Sequence, residues 1–425
     1  MPVLPALPEI LHTSTTVVDQ TDWQAFTSKV YQGAGIYLPE VTDEVLDRLL
    51  EELTAIQQLD IYPYFLFWED LLDFCKDENI CTGPGRGIIS CSLVARCLGM
   101  TAINPLDWQL PFQRFFNPLS SLLPAFSVDV PQNKRESLIN FLKAKYGKAH
   151  VGALAGRNED EGGVSNINKI ISPAGSGVVI SSQALLPTVP TMKLRDESDD
   201  IIVDFPSKHL QNLGCIKFDI YGLRHLETLQ NIRDKYKTDI YPDRWDDPEV
   251  FSWILSVKSK ETFPFNTETI RQFMKEYQPE TMEDLALSYA ISRPALQSYI
   301  PGMLRIRKQD DDAYFPHESL YKPLQSTYGY IVYKEQFIDI VVSMSNFSYN
   351  EAEMMCRLLL EDENSDNYTG RFIDQCEENG IDMSVIQQVM TELIASHPFL
   401  FSKAHALGAV MIGYALAWHH VHNRV

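Results

Sequence analysis

Two aspartates sit where a chain can least easily accommodate them. Asp129 lies in Ala-Phe-Ser-Val-Asp-Val and Asp219 in Ile-Lys-Phe-Asp-Ile, runs that otherwise read as the apolar strands of a sheet. A carboxylate in such a strand is costly to bury unless it is paired or binds a metal. Two of them can hold Mg²⁺ through hard oxygen ligands, as in phosphoryl-transfer sites. Each can equally cap a strand end or pair with a neighbouring Lys or Arg. Lys217 is two residues from Asp219, and so lies on the same strand face.

Around these strands the pattern is mostly helical. Residues 41–57 carry apolar side chains at helical spacing with acids between them, an amphipathic helix with an exposed acidic face. Residues 61–75 are aromatic and apolar and read as a buried helix. Residues 133–146 read as a helix with Asn133 as N-cap and Glu136 closing a capping box. Residues 115–131 are short strand-like runs broken by prolines, and residues 176–181 and 214–220 read as strands. Residues 156–168 are Gly, Asn and acid without periodicity, a linker. From residue 223 the chain is almost all helical. The order is helices, a short mixed α/β region, then a long helical region. At roughly 150 residues per domain, 425 residues predict two or three domains.

Charge and cysteine content restrict the function classes. There are 36 Lys and Arg against 57 Asp and Glu, a net charge of −21, which argues against coating nucleic acid by bulk charge but leaves room for a local basic channel. Seven cysteines, odd in number and without a Cys-x-x-Cys pair, point to a reduced, cytoplasmic setting. The apolar runs at 61–68 and 407–418 fall short of the ~20 residues that a bilayer needs. The proline-containing N-terminus has no basic n-region, so no secretory signal is expected.

Several smaller elements carry possible chemistry. Gly83-Pro84-Gly85-Arg86-Gly87 runs into an apolar helix with Ser90 and Ser92. Glycines let backbone N–H groups approach an anion, although the Gly-Lys-Ser/Thr ending of a P-loop is missing and Gly/Pro clusters are often plain turns. Lys134, Arg135, Lys143, Lys145 and Lys148 form one basic group, and Arg305, Arg307 and Lys308 another; either can contact phosphates or form a solvated face. His419, His420 and His422 end the chain without a ligand-spaced acid or Cys, and read as a partly ordered tail.

Taken in order, these segments resemble one family. TGPGRGIISCSLVARCLGM, with the aromatic run at 62–74 before it, looks like the glycine-serine region of bacterial DNA polymerase III alpha subunits. LPAFSVDV sits where that family carries its Asp-Phe-Asp-Ile-Asp strand, and GCIKFDIYGLRHLETL is similar to its Val-Lys-Phe-Asp-Phe-Leu-Gly-Leu-Arg segment. AGSGVVIS, TYGYIVYKEQF, EAEMMCRLL and FSKAHALGAVMIGYALAW follow, all in family order. The resemblance implies an α/β fold, with a nucleotidyltransferase (polymerase beta-like) palm over 42–222 and a mostly α-helical fingers region over 223–425. An N-terminal arm would span 1–41, and a shortened thumb or linker would lie near 151–170. It implies Mg²⁺ held by Asp129 and Asp219 as catalytic and metal residues. It implies nucleotide binding by Gly85, Arg86, Gly87, Ser92, Arg357, Lys403 and His405, and DNA binding by Lys134, Arg135, Lys143, Lys145 and Lys217.

The departures from the family pattern fall on the site itself. Ser127 replaces the first of the strand's two metal-binding aspartates, and a hydroxyl is a poor substitute for a carboxylate facing divalent charge. The glycine-serine pairs become Gly87-Ile88 and Cys91-Ser92. Only Arg357 survives from the fingers arginine pair, the following lysines are Glu361 and Asp362, and the His before Gly-Val-Val-Ile is Ala174. The family's N-terminal metallohydrolase-like domain and its C-terminal clamp-binding and OB domains have no counterpart in the chain. The expectation is a reduced polymerase III alpha-like core in DNA replication, a pseudoenzyme candidate with weakened or lost nucleotidyl transfer. It would bind DNA primer-template, replication proteins or another subunit that supplies the missing domains, with no membrane. The alternative is an active Mg-dependent DNA-directed DNA polymerase using Asp129, Asp219 and a third carboxylate such as Asp204. A third reading is an acidic decoy that binds replication proteins and not DNA.

Overall fold

The computed structural model describes residues 20–120, 122–155, 175–192, 200–256, 262–359 and 365–422. The arm before residue 20, the linker at 156–168, and Ala174, Glu361 and Asp362 lie outside the described residues.

The first half opens with helices α1 (Gln20–Tyr37), α2 (Asp43–Gln58) and α3 (Tyr62–Asp77). Thr42 caps α2 by accepting the Val45 N–H, and the helix buries Val45, Leu49, Leu53 and Ile56 at the spacing that the sequence shows. Glu52 shares that buried face. α3 buries nine of its sixteen residues, all of them aromatic or apolar, and leaves its charged residues outside the core. A short helix α4 (Leu93–Cys97) follows the glycine-rich loop. The helix expected from residue 133 is α5 (Arg135–Tyr146), and Asn133 does not cap it. A 3-10 turn, Gln132–Lys134, runs straight into α5, so the cap position falls on Lys134 with near-helical dihedrals and no side-chain bond. No capping box forms there, because an N-cap needs extended backbone.

Six strands form one mixed sheet among the described residues: β1 (Ser127–Pro131), β2 (Val151–Leu154), β3 (Gly177–Ser181), β4 (Thr191–Met192), β5 (Ile202–Val203) and β6 (Cys215–Leu223), in the order β1-β6-β3-β2-β5-β4. Of the strand-like runs at 115–131, β1 alone forms a strand among the described residues, and the stretch before it is loop. β1 runs parallel to β6, and β3 antiparallel to it. Alternation along β1 and β6 sends Val128, Val130, Phe218 and Ile220 to a buried face. There Phe218 meets Trp68 of α3 edge-on at 5.4 Å, and Trp68 stacks on Phe126 at 5.0 Å. The opposite face carries Ser127, Asp129, Lys217, Asp219 and Tyr221.

After β6 the described residues are helical apart from loops and one isolated bridge, Tyr333–Phe401. The main core draws on both sides of this change, from Phe26 to Ala417, while a second core gathers Leu320, Phe337, Met344, Phe372, Leu393 and their neighbours. The last helix, Lys403–Val421, is apolar on all sides and buried over most of its length. It packs on the Arg224–Tyr236, Pro248–Leu255 and Met282–Ile291 helices and on the Ile89–Cys91 turn, and its Gly408 lies against Gly85 of the glycine-rich loop. His419 and His420 are part of this helix and His422 is its C-cap, so they do not form a loose tail. His419 is fully buried with its ring nitrogen on the Ile240 carbonyl, and His420 stacks on Trp253 at 4.7 Å. No helix of the described residues is long and apolar enough to cross a membrane.

Candidate functional site

The sheet register sets the geometry of the site. β1 and β6 lie side by side, with Ser127 opposite Asp219 and Asp129 opposite Tyr221. Side chains alternate along each strand, so both aspartates share one face with Ser127. Asp129 is 4% exposed, and its Oδ1 accepts from Arg86 Nη1 at 2.9 Å. The Arg86 guanidinium also lies over the Tyr221 ring, 3.6 Å from its centroid, a cation–π contact. Burial pushes the Asp129 carboxyl up to about 6, and the Arg86 charge opposes this. Asp219 accepts from Ser176 Oγ at 2.8 Å on one oxygen and pairs with the Lys217 ammonium on the other.

The glycine-rich loop lies against this face. Gly83 donates its N–H to the Asp129 carbonyl at 2.8 Å, and a Cβ at Gly83 would lie 2.7 Å from the Asp129 Cβ. Gly85 has φ +144, and a Cβ there would lie 2.2 Å from Ser90 Oγ. Gly87 turns its N–H toward His405 Nδ1 at 3.4 Å. Burial, then the charges of Arg86 and Arg293, push the His405 imidazole down to about 4, so it accepts as the neutral ring. Ser92 has a different task. It is fully buried, donates to Glu52 Oε2 at 2.7 Å and caps α4 through the Ala95 N–H. Glu52 also accepts the Leu93 and Val94 N–H groups, so the chain's own carboxylate fills the start of α4.

Comparison with known proteins gives this arrangement a family. A model of the bacterial DNA polymerase III alpha NTPase domain matches residues 24–159, and one of the bacterial DNA polymerase III alpha subunit finger domain matches residues 213–380, together well over half of the chain. The chain belongs to the DNA polymerase III alpha family. The DNA polymerase III subunit alpha of Staphylococcus epidermidis is 25% identical over 452 residues, covering 90% of this chain and 42% of that protein. That of Staphylococcus aureus is 25% identical over 448 residues, covering 89% and 42%. The chain thus spans about two fifths of the length of the curated relatives it matches.

Against that family pattern, the residues carried over by resemblance divide into two groups. Asp129, Asp219, Arg86, Lys217, Gly85, Gly87 and His405 gather at the carboxylate face and its loop. Arg357 does not join them: it binds Glu353 at 2.8 Å and Ser120 Oγ at 3.1 Å, and Glu353, 1% exposed, also takes Asn117 Nδ2 at 2.7 Å. Lys403 is two residues from His405, about 200° around the helix. It reaches Glu283 at 2.7 Å and the Trp108 carbonyl at 3.1 Å, beside a cavity of about 610 Å³. The basic residues expected on DNA are mostly engaged within the chain. Arg135 donates to the Ile220 and Gly175 carbonyls at 2.8 Å, Lys143 pairs with Asp200 at 2.6 Å, and Lys145 pairs with Asp70. Lys134 has no ion pair among the described residues. Arg305, Arg307 and Lys308 pair with Asp311, Asp284 and Glu276.

A two-Mg²⁺ arrangement does not fit these residues. Both carboxylates already hold a cation of the chain, and the third position of the family pattern is filled by the neutral Ser127 hydroxyl opposite Asp219. Asp204 does not complete the set. It follows β5, three strands from β6 and therefore about 14 Å away at ~4.8 Å per strand.

Sequence reasoning missed Glu52 and the cavity that adjoins α2. Among the cavity's lining residues are Glu51, Glu335 and Asp339. Burial, then the Glu335 charge, push the Asp339 carboxyl up to about 6, while a hydrogen bond from Tyr349 opposes this. The folded carboxyl therefore binds its proton more tightly than the unfolded one, which titrates near 3.8. Ionising Asp339 in the folded chain costs stability as pH rises from about 4 to 6, and the cost stays constant above. Asp339→Asn is expected to raise the unfolding free energy at pH 7.5 by about 1–2 kcal/mol and to change it little at pH 4. A tenfold change in proton affinity is worth ~1.4 kcal/mol, and solvent in the cavity screens part of the effect. Urea unfolding at the two pH values checks this; equal effects at both would refute it.

Proposed function

We propose that the chain is a polymerase III alpha-like core that keeps the family's fold and binds DNA primer-template or replication proteins without transferring nucleotides. In this reading the sheet with α3 and α5 is a palm of nucleotidyltransferase type spanning 42–222. The helical region from 223 is the fingers, and the setting is cytoplasmic, consistent with seven buried, unbridged cysteines. The observation that carries the reading is the β1–β6 register. It puts the Ser127 hydroxyl directly beside Asp219, where the family's metal-binding strand has a carboxylate. Losing one of three acids removes electrostatic stabilisation worth several kcal/mol at such a site.

The test is primer extension on a primed template with all four nucleotides, in Mg²⁺ or Mn²⁺, with Asp129→Asn beside the wild type. No incorporation is expected at any protein concentration, while a gel shift with primer-template or capture of a replication protein continues. Extension that Asp129→Asn abolishes would overturn the reading in favour of an active polymerase, which the shared face of Asp129 and Asp219 would then explain. Protein capture with no gel shift would favour the acidic decoy.

A further inference from the structure

We propose that Arg86 and Lys217 supply, from within the chain, the positive charge that a divalent cation would otherwise bring to Asp129 and Asp219, so that this face is a closed ionic joint and not an ion-binding site. The proposal deepens the reading above and rests on it in that no reaction is asked of this face.

The contacts are specific on both sides. The Arg86 guanidinium is held between the Asp129 carboxylate, at 2.9 Å, and the Tyr221 ring, at 3.6 Å. Tyr221 is the register partner of Asp129, so one guanidinium ties the loop to two adjacent strands. A guanidinium keeps its charge throughout the working pH range, and its planar fork suits a carboxylate. Gly83 presses the loop backbone against Asp129 from the other direction, closing the approach to the carboxylate there. Both Asp219 oxygens are used, one by Lys217 and one by Ser176. With Ser127 neutral, the face holds two acids and two bases and no net charge.

The loop is also held on its far side, where the Gly87 N–H donates to His405 Nδ1 at 3.4 Å. The loop joins the sheet through Arg86 and the last helix through His405, so this joint holds three parts of the fold together.

Mn²⁺ titration of the full chain, followed by the loss of the free-ion EPR signal and by thermal unfolding with and without Mn²⁺, tests the proposal. The acidic surface will take up some Mn²⁺ weakly, so the informative quantity is the difference between variants. Wild type, Asp129→Asn and Asp219→Asn are expected to bind Mn²⁺ alike. Arg86→Met is expected to gain a Mn²⁺ site at least tenfold tighter than the background and to unfold at a higher temperature when Mn²⁺ is added. Lys217→Met, at the more exposed pair, is expected to behave the same way and serves if Arg86→Met does not fold. A wild-type site that Asp129→Asn or Asp219→Asn abolishes would overturn the proposal, and so would folded Arg86→Met and Lys217→Met with no gained site. If neither variant folds, the comparison of wild type with Asp219→Asn decides. Mn²⁺ bound at Asp129 without primer extension would refute this inference alone; extension would refute the reading of the site as retired.

Discussion

Glu52→Ala is expected to destabilise the fold by about 3–5 kcal/mol, the range for breaking a buried charge pair by removing one partner. Glu52 is completely buried in the middle of α2, and both its oxygens are used twice. Oε1 takes Arg48 Nε at 2.7 Å and the Leu93 N–H at 2.9 Å; Oε2 takes Ser92 Oγ at 2.7 Å and the Val94 N–H at 3.0 Å. Alanine strands two helix N–H groups and a hydroxyl away from water. It also leaves Arg48 without its carboxylate, although that guanidinium still donates to the Cys91 and Leu110 carbonyls. Each stranded buried donor costs about 1–3 kcal/mol. Glu52→Gln should lose less, because its amide oxygen still accepts, but its nitrogen faces donors. Urea unfolding followed by circular dichroism should rank wild type above Gln, and Gln above Ala. An Ala variant within about 1 kcal/mol of wild type would mean that α4 is capped by something else.

Glu52 also marks the limit of what could be read in advance. Its spacing from Leu49, Leu53 and Ile56 puts it on the buried phase of α2, which was visible, but the pattern of acids between apolar residues suggested that every acid faced water. The partners that bury it lie about forty residues further on, and nothing local announces them. The same holds across the site. That Lys217 and Asp219 share a face follows from strand alternation alone and is what the structure shows. Arg86 meeting Asp129 depends on a loop folding back over a strand, 43 residues away. Helices with strong periodicity, α2 and α3, and the β-branched strands β3 and β6 were legible to within a few residues at their ends. β4 and β5, two residues each, were not, because they pair only with neighbours brought by the sheet.

The basic residues teach a related lesson. A Lys or Arg in the sequence is a possible phosphate contact, whereas a Lys or Arg whose charge is met by Asp or Glu has lost most of its pull on a polyanion. Lys143, Lys145, Arg307 and Lys308 all have such partners, as expected of a chain with 57 acids to 36 bases. What composition does not give is the geometry by which Arg135 commits its guanidinium to backbone carbonyls, joining α5 to β6. Any DNA contact proposed for this chain must therefore either break such pairs or use side chains, such as Lys134, that lack one among the described residues.

Gly408→Ala is expected to strain the contact between the last helix and the glycine-rich loop, at a cost of about 3 kcal/mol, the upper end for overpacking. A Cβ at Gly408 would lie 1.8 Å from the Gly85 carbonyl oxygen, far inside contact distance, and the obstacle is backbone, which cannot rotate away. The Lys403–Val421 helix cannot retreat, since Leu407, Ala409 and Val410 are buried against its neighbours. The loop must move instead. Gly85 is hemmed in by Ser90 and by Thr101, whose hydroxyl donates to the Pro84 carbonyl at 2.8 Å, so the strain passes to Arg86 and to the Gly87–His405 contact. Gly370→Ala supplies the comparison. It is the same chemical change inside the Ser365–Glu378 helix, with nothing within 4 Å of the added Cβ, and helix propensity alone should make it stabilising by about 0.5–1 kcal/mol. Opposite signs for the two substitutions, measured by urea unfolding, would establish that the close approach of the last helix to the loop is a real constraint. A neutral Gly408→Ala would show that the loop has room to spare, and then the joint between Arg86 and the sheet could not be as tight as the contacts at Asp129 and Tyr221 require.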